Sequence, residues 1–281
     1  MTTLPCPPRP LPFAARAEAR ERLDDIAHET PELRQNLRDM YRLTGLLRVW
    51  RRVEQEVLRL AAGVPGPARV VDVGAGGADA AIALARFAGR SGRRFRVTAL
   101  DAGRPIARIA RRNVAAHPEV EVVVADGCSI PARAATFDVA VCAMTLHHLS
   151  EPDAVVLLRE LDRVTSRGFV VVDLRRGPAA FAGAWLATRL LTRNRLSRYD
   201  GPLSVRRAFS LDEMRHLVGA SGIENAVVVP HFPATTLVVQ TKVADGFRKE
   251  PRGANRTMSH DNRLRSSSVV GRWTILKGAR K

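Results

Sequence analysis

The residues best suited to chemistry are a glycine run behind an acid, several acids at strand-like ends, two adjacent histidines and two arginine pairs. In VVDVGAGGADAAIALARFA, residues 70–88, an apolar strand pattern breaks at Asp72-Val73-Gly74-Ala75-Gly76-Gly77 and resumes as an alanine-rich helix. Such a turn brings backbone N–H groups close to a ligand, and the helix start favours anionic groups, so a nucleotide-like cofactor suits it. Asp79 stands where a dinucleotide fingerprint needs its third glycine, and no phosphate-binding G-x-x-x-x-G-K-[ST] run occurs. NAD and ATP therefore fit poorly. His147 and His148 are candidates for a general base, since imidazole titrates near pH 6.5. If the chain turns helical there, successive side chains diverge by about 100° and only one, expected to be His148, faces a cleft. The alternative packs one histidine against the cofactor pocket and uses the other as a helix cap. Arg175, Arg176, Arg206 and Arg207 could stabilise an anionic acceptor or bind a substrate carboxylate. They could equally pair with Asp173 or Asp200.

These residues need strands and helices to position them. After the break Gly63-Val64-Pro65-Gly66-Pro67, strands predicted at 69–73, 96–100, 120–124, 137–143 and 169–172 alternate with helical segments, as a doubly wound parallel sheet requires. Asp101, Asp126-Gly127, the two histidines and Asp173 all follow strand ends, where open α/β sheets bind ligands. Asp101, about 25 residues beyond the glycines, is placed to accept ribose hydroxyls. Ser210 with Glu213 predicts a capping box for a helix over 211–220, and 226–229 with 236–240 predicts a hairpin. The whole is a mostly parallel, seven-stranded α/β sheet. Ahead of it, 13–28 shows a helical charge pattern and 32–62 reads as one helix with a core-facing stripe. The run 179–191 is too short to span a bilayer; it reads as a core helix, with an acyl-chain pocket or a membrane surface as other uses. Three regions result: helices and a proline-rich start at 1–62, a catalytic-type domain at 63–242 and a basic tail at 243–281, expected to be disordered.

Composition limits the partners. The net charge is +17 over 281 residues, but residues 242–281 hold all four lysines and contribute +8 of it. Nucleic acid is therefore not the expected partner. Cys6, Cys128 and Cys142 show no paired spacing, so no disulfide scaffold and no metal site is expected, and the default location is a reducing cytoplasm. Oligomeric state is not legible.

Taken together, Asp72 to Gly77, Asp101, Asp126 and FDVAVCAMTLHHL resemble the class I S-adenosylmethionine-dependent methyltransferases, a Rossmann-like family. The resemblance implies that Asp72, Gly74 and Gly76 approach the methionine part of that cofactor, Asp101 holds the ribose, and Asp126 with Gly127 lies beside adenine. Ala78 departs from the third glycine that many members carry. VVVDLRRGPAAF and RYDGPLSVRRAF, with the arginine-rich N-terminal helices, are similar to a bacterial group related to ubiquinone and menaquinone methyltransferases and found beside type III polyketide synthases. That likeness implies a small, lipophilic phenolic or quinonoid acceptor in secondary metabolism. Nucleic-acid methylation and a non-catalytic assembly role remain alternatives.

Overall fold

The computed structural model describes residues 13–242. The proline-rich start, Cys6 and the basic tail beyond Lys242 lie outside the described residues. Seven strands form one sheet in the order β3-β2-β1-β4-β5-β7-β6. They are β1 (Ala68–Val73), β2 (Phe95–Asp101), β3 (Val120–Val124), β4 (Phe137–Ala143), β5 (Thr165–Leu174), β6 (Ala226–His231) and β7 (Thr235–Thr241). The first five run parallel; β7 pairs antiparallel with β5, and β6 with β7.

Side chains alternate across this sheet, and both faces are covered. Val70, Val139, Val141, Val170 and Val172 face one layer, built from α2 (Val49–Leu60) and α3 (Asp79–Arg90). Val71, Val73, Ala140, Cys142, Phe169 and Val171 face the other, built from α5 (Glu151–Val164) and α8 (Leu211–Ser221). This explains why the central strands read as continuous apolar runs. The capping box on α8 is present, with Ser210 accepting from Glu213 and Gly222 closing the helix in a left-handed conformation. Crossover helix α4 (Arg104–Asn113) links β2 to β3.

Three expectations need correction. Residues 13–28 form no helix beyond one 3₁₀ turn, Arg22–Asp25. Long-range bonds hold this segment instead: Ala17 N–H donates to the Arg206 carbonyl at 3.0 Å, and Arg16 donates to the carbonyls of Arg207, His147 and Leu149. The expected helix over 32–62 is two helices, α1 (Pro31–Leu46) and α2, separated by Arg48 at φ +54°. The third correction concerns α6 (Pro178–Leu191), where only Thr188 is buried. It lies outside the core, packed on α7 (Arg195–Arg207). Among the described residues no helix is long and apolar enough to cross a membrane.

Candidate active site

The carboxyl edge of the sheet opens into a cavity of about 1090 Å³. Its floor is built locally. Gly74 turns out of β1 at φ +75°, and the N–H groups of Gly74 and Ala75 both donate to the Leu100 carbonyl, at 2.8 and 3.0 Å. A Cβ on Gly74 would collide with the Thr145 side chain, and any larger residue would be strained at this φ. Gly76 N–H donates to Asp101 Oδ2 at 2.9 Å and Gly103 N–H to Oδ1 at 2.8 Å. Both Asp101 oxygens are thus fixed, and each retains a lone pair for a ligand hydroxyl. Asp126 Oδ1 accepts from Cys128 N–H at 2.8 Å. A Cβ on Gly127 would approach Val73 Cγ1 to 2.8 Å, which presses this turn against β1. Ala78 occupies a left-handed conformation at φ +63°, which explains why glycine is common at that point of the family pattern.

The roof comes from elsewhere in the chain. Residues 146–148 form a 3₁₀ turn after β4. His147 is buried, with Nδ1 2.6 Å from Asp173 Oδ1 and its backbone N–H donating to Oδ2 at 2.9 Å. His148 lines the cavity with its side chain 23% exposed, and its Nδ1 is 3.0 Å from Asp24 Oδ1. A carboxylate at each Nδ1 favours the tautomer that donates from Nδ1–H, which in a neutral imidazole leaves the lone pair on Nε2. Both Nε2 atoms face Glu21, at 3.6 Å from Oε1 and 3.8 Å from Oε2. Glu21 is itself buried and accepts from Ser204 Oγ at 2.8 Å. Burial, opposed by the charge of His148, raises its carboxyl from 4.5 to about 7. Glu21 can therefore keep a proton up to near neutrality beside the two imidazoles.

The arginines divide. Arg207 is buried, lines the cavity and donates to the carbonyls of Ala19, His147 and His148. It thereby clamps the histidine turn to the N-terminal segment. Arg175, Arg176 and Arg206, expected as substrate ligands, do not line the cavity. Arg176 forms a two-point ion pair with Glu213, at 2.6 and 2.8 Å. The expected pairing with Asp173 or Asp200 does not form, because Asp173 is taken by His147 and Asp200 by the N–H groups of Arg22 and Leu23. Glu21, Asp24 and Arg16 escape a sequence-level reading. Nothing in their local pattern sets them apart from charges on a solvated helix.

Two polar atoms in cavity-lining residues have no partner among the described residues: Asp72 Oδ2, an acceptor, and Trp50 Nε1, a donor. Burial, with Asp101 adding to it, raises Asp72 from 3.8 to about 7. Trp50 stacks on Tyr41 with ring centroids 5.2 Å apart and completes an apolar wall with Leu37 and Met40. Cysteine spacing pointed to no metal site, yet Glu21, His147 and His148 bring one potential ligand atom each within 4.8 Å of one another. That set could hold a divalent cation.

Residues 70–168 match the family described as Methyltransferase domain. Residues 70–168 thus carry a methyltransferase domain, set in the seven-stranded fold described above. Over 119 residues it is 30% identical to the demethylmenaquinone methyltransferase of Lysinibacillus sphaericus, covering 42% of this chain and 48% of that protein. The chain thus spans about half the length of that curated relative. Among solved structures, a proposed S-adenosyl-L-methionine-dependent methyltransferase from Methanococcus maripaludis shares the fold at TM-score 0.55 and 15% identity, over 77% of this chain and 96% of that one. The CMeT domain of the citrinin polyketide synthase does so at TM-score 0.52 and 12% identity, over 68% and 51%. The cofactor of the methyltransferase domain is S-adenosylmethionine, and the residues present fit it. Asp72 offers an unused buried acceptor, the Gly74 turn leaves backbone exposed to a ligand, and Asp101 offers two aligned oxygens. The cavity reaches the upper end of the roughly 300–1,000 Å³ range of ligand pockets, which leaves room for a second molecule.

Proposed function

We propose that this protein methylates a small, lipophilic phenolic or quinonoid acceptor bound beneath the N-terminal roof. The observation that carries this is the carboxylate-held histidine pair, which lines the same cavity as the cofactor turn. A phenol ionises near pH 10, so its reactive anion is scarce at neutrality and a positioned base raises its supply. His148 takes that proton on Nε2, Asp24 keeps its ring in the required tautomer, and Glu21 lies within reach to spread the charge. The acceptor oxygen is left with the electron pair that transfer requires. S-adenosylmethionine, when bound, supplies the electrophilic methyl group, so the protein's share is alignment and proton removal. Asp72, Gly74, Gly76, Asp101, Asp126 and Gly127 hold the cofactor, and Arg207 keeps the histidine turn in place. The apolar wall and the likeness to a demethylmenaquinone methyltransferase support the lipophilic acceptor.

The grouping of Glu21, His147 and His148 favours one second reading, in which a divalent cation takes the place of the shared proton and polarises the acceptor oxygen. Both readings are tested with labelled S-adenosylmethionine and a panel of alkylated phenols, hydroquinones and bulk RNA, each with and without a chelator. Proton removal by His148 predicts methylated phenol or hydroquinone with no effect of the chelator. Labelling of RNA alone would overturn the proposal, and loss of turnover on chelation would select the cation.

A further inference from the structure

Helix α6 is built the wrong way round for a helix of a soluble protein. Its outward face carries Ala179, Ala182, Gly183, Trp185, Leu186 and Leu190 over a length of about 21 Å, with Arg189 as its single charge, and its single fully buried residue is the polar Thr188. Thr188 satisfies its own hydroxyl on the Ala184 and Trp185 carbonyls, so α6 can press closely on Gly201 of α7. Trp185 is 47%, Leu186 51%, Leu190 72% and Leu191 61% exposed. Four large apolar side chains on neighbouring turns make a patch, which calls for a partner in a way that a scattered exposed leucine does not.

Charge identifies the partner. From Leu174 to Tyr199 the chain holds six arginines and no acid. Arg189 lies over the Trp185 ring at 5.3 Å. Leu190 and Leu191 share a shallow groove with Arg42, Arg189, Arg193 and Arg198. Of the acids in that groove, Asp39 is already bonded to Gln35, Thr192 and Ser197, leaving Glu32 against four guanidinium groups. Among the described residues Arg189, Arg193, Arg195 and Arg198 form no ion pair with an acid. An apolar helical face with tryptophan at its centre and arginines at one end matches an anionic bilayer surface, where the rings and leucines enter the acyl boundary and guanidinium groups meet phosphates.

We propose that α6 docks this protein onto anionic membranes, with Trp185, Leu186, Leu190 and Leu191 inserted and Arg189, Arg193 and Arg195 on the headgroups. The docking deepens the reading of a lipophilic acceptor, since α6 begins four residues past the end of β5, at the sheet edge that holds the cavity. Binding itself requires neither acceptor nor cofactor, so it is measured without them.

The test is co-sedimentation of the full chain with vesicles of phosphatidylcholine containing phosphatidylglycerol, against pure phosphatidylcholine. The chain should bind the anionic vesicles and leave the neutral ones. Combining Leu186→Ser, Leu190→Ser and Leu191→Ser should weaken binding at least about tenfold. Arg189→Gln, Arg193→Gln and Arg195→Gln should each weaken it roughly fivefold. Both sets should keep turnover on a water-soluble acceptor, because none of these residues touches the cavity. Binding that neither set alters would assign it to the basic stretch 243–281 and overturn the proposal. So would a dimer in light scattering that the leucine set dissociates, since α6 would then be an interface between copies. Failure to bind with methylation of a lipophilic phenol intact removes the docking alone; vesicle binding without methylation removes the acceptor alone.

Discussion

The floor and the roof of the cavity are built by different means. The floor is backbone and short-range: Gly76 meets Asp101 across 25 positions of sequence, within one strand-helix-strand unit. The roof is side chain and long-range: Asp24 meets His148 across 124 positions, and Ser204 meets Glu21 across 183. A pocket for one invariant cofactor can be written into a single turn. The roof, the proposed acceptor side, is assembled from Arg16, Glu21 and Asp24, the 3₁₀ turn after β4, Asp173 and Arg207, so on that proposal each can change without disturbing cofactor binding.

The sharpest way to break this division is His148→Ala. Turnover should fall by roughly 10² to 10⁴ while affinity for S-adenosylmethionine, read by calorimetry, stays nearly constant. The defect should shrink as pH approaches about 10, where solvent supplies the phenolate. A pH-independent loss would leave His148 with packing alone. The same rescue pattern in His147→Ala and not in His148→Ala would move the base to its neighbour.

A comparable free energy should appear in stability. Glu21 is raised from 4.5 to about 7 and Asp72 from 3.8 to about 7, both chiefly by burial. The folded state therefore holds protons that the unfolded chain has released. Their contribution is full below the unfolded values and is lost as pH rises to about 7. Each is worth on the order of 3 kcal/mol. Denaturant unfolding should thus show stability falling between about pH 4 and 7, and Glu21→Gln should flatten the curve. A curve of unchanged slope in that variant would mean that Glu21 is ionised in the fold.

On the floor, Asp101→Ala should weaken both S-adenosylmethionine and its demethylated product by about 1.5 to 3 kcal/mol, the range for hydrogen bonds to a charged acceptor. Turnover at saturating cofactor should be spared, which separates this variant from His148→Ala. Unchanged affinity in a folded variant would take the ribose away from Asp101. The smallest effect is expected at the chain's end. Ending the protein after Lys242, whose ammonium donates to the Thr165 carbonyl at 3.0 Å and so belongs with the fold, should leave melting temperature and cofactor affinity unchanged. A large fall in either would make residues 243–281 part of the working domain.

Legibility in the sequence followed the range of the interactions. The strand-turn-helix around Gly74 was readable because its strand pattern, glycines and helix are contiguous, and Ser210 with Glu213 announced α8 for the same reason. The stretch 13–28 misled because alternating charge and alanine has helical periodicity, and nothing nearby shows that Arg16 and Glu21 are recruited by residues far along the chain. The stretch 32–62 misled because its apolar stripe continues through a break that only Arg48's backbone reveals. Residues 179–191 misled in the opposite direction, since an apolar run looks the same whether it faces a core or stands outside one.

By itself, then, the sequence determined the strand succession, the glycine turn, the acids at strand ends and the family they resemble, because each depends on neighbours within a few tens of residues. Tertiary structure alone decided that His147 is buried against Asp173 while His148 is the more open of the two at the cavity that both line. It also decided that Glu21 lies between their two Nε2 atoms, that Arg207 rather than Arg175, Arg176 or Arg206 reaches the site, and that α6 turns its apolar face outward. Those outcomes depend on which distant surfaces meet, and desolvation and pairing act only once they have met.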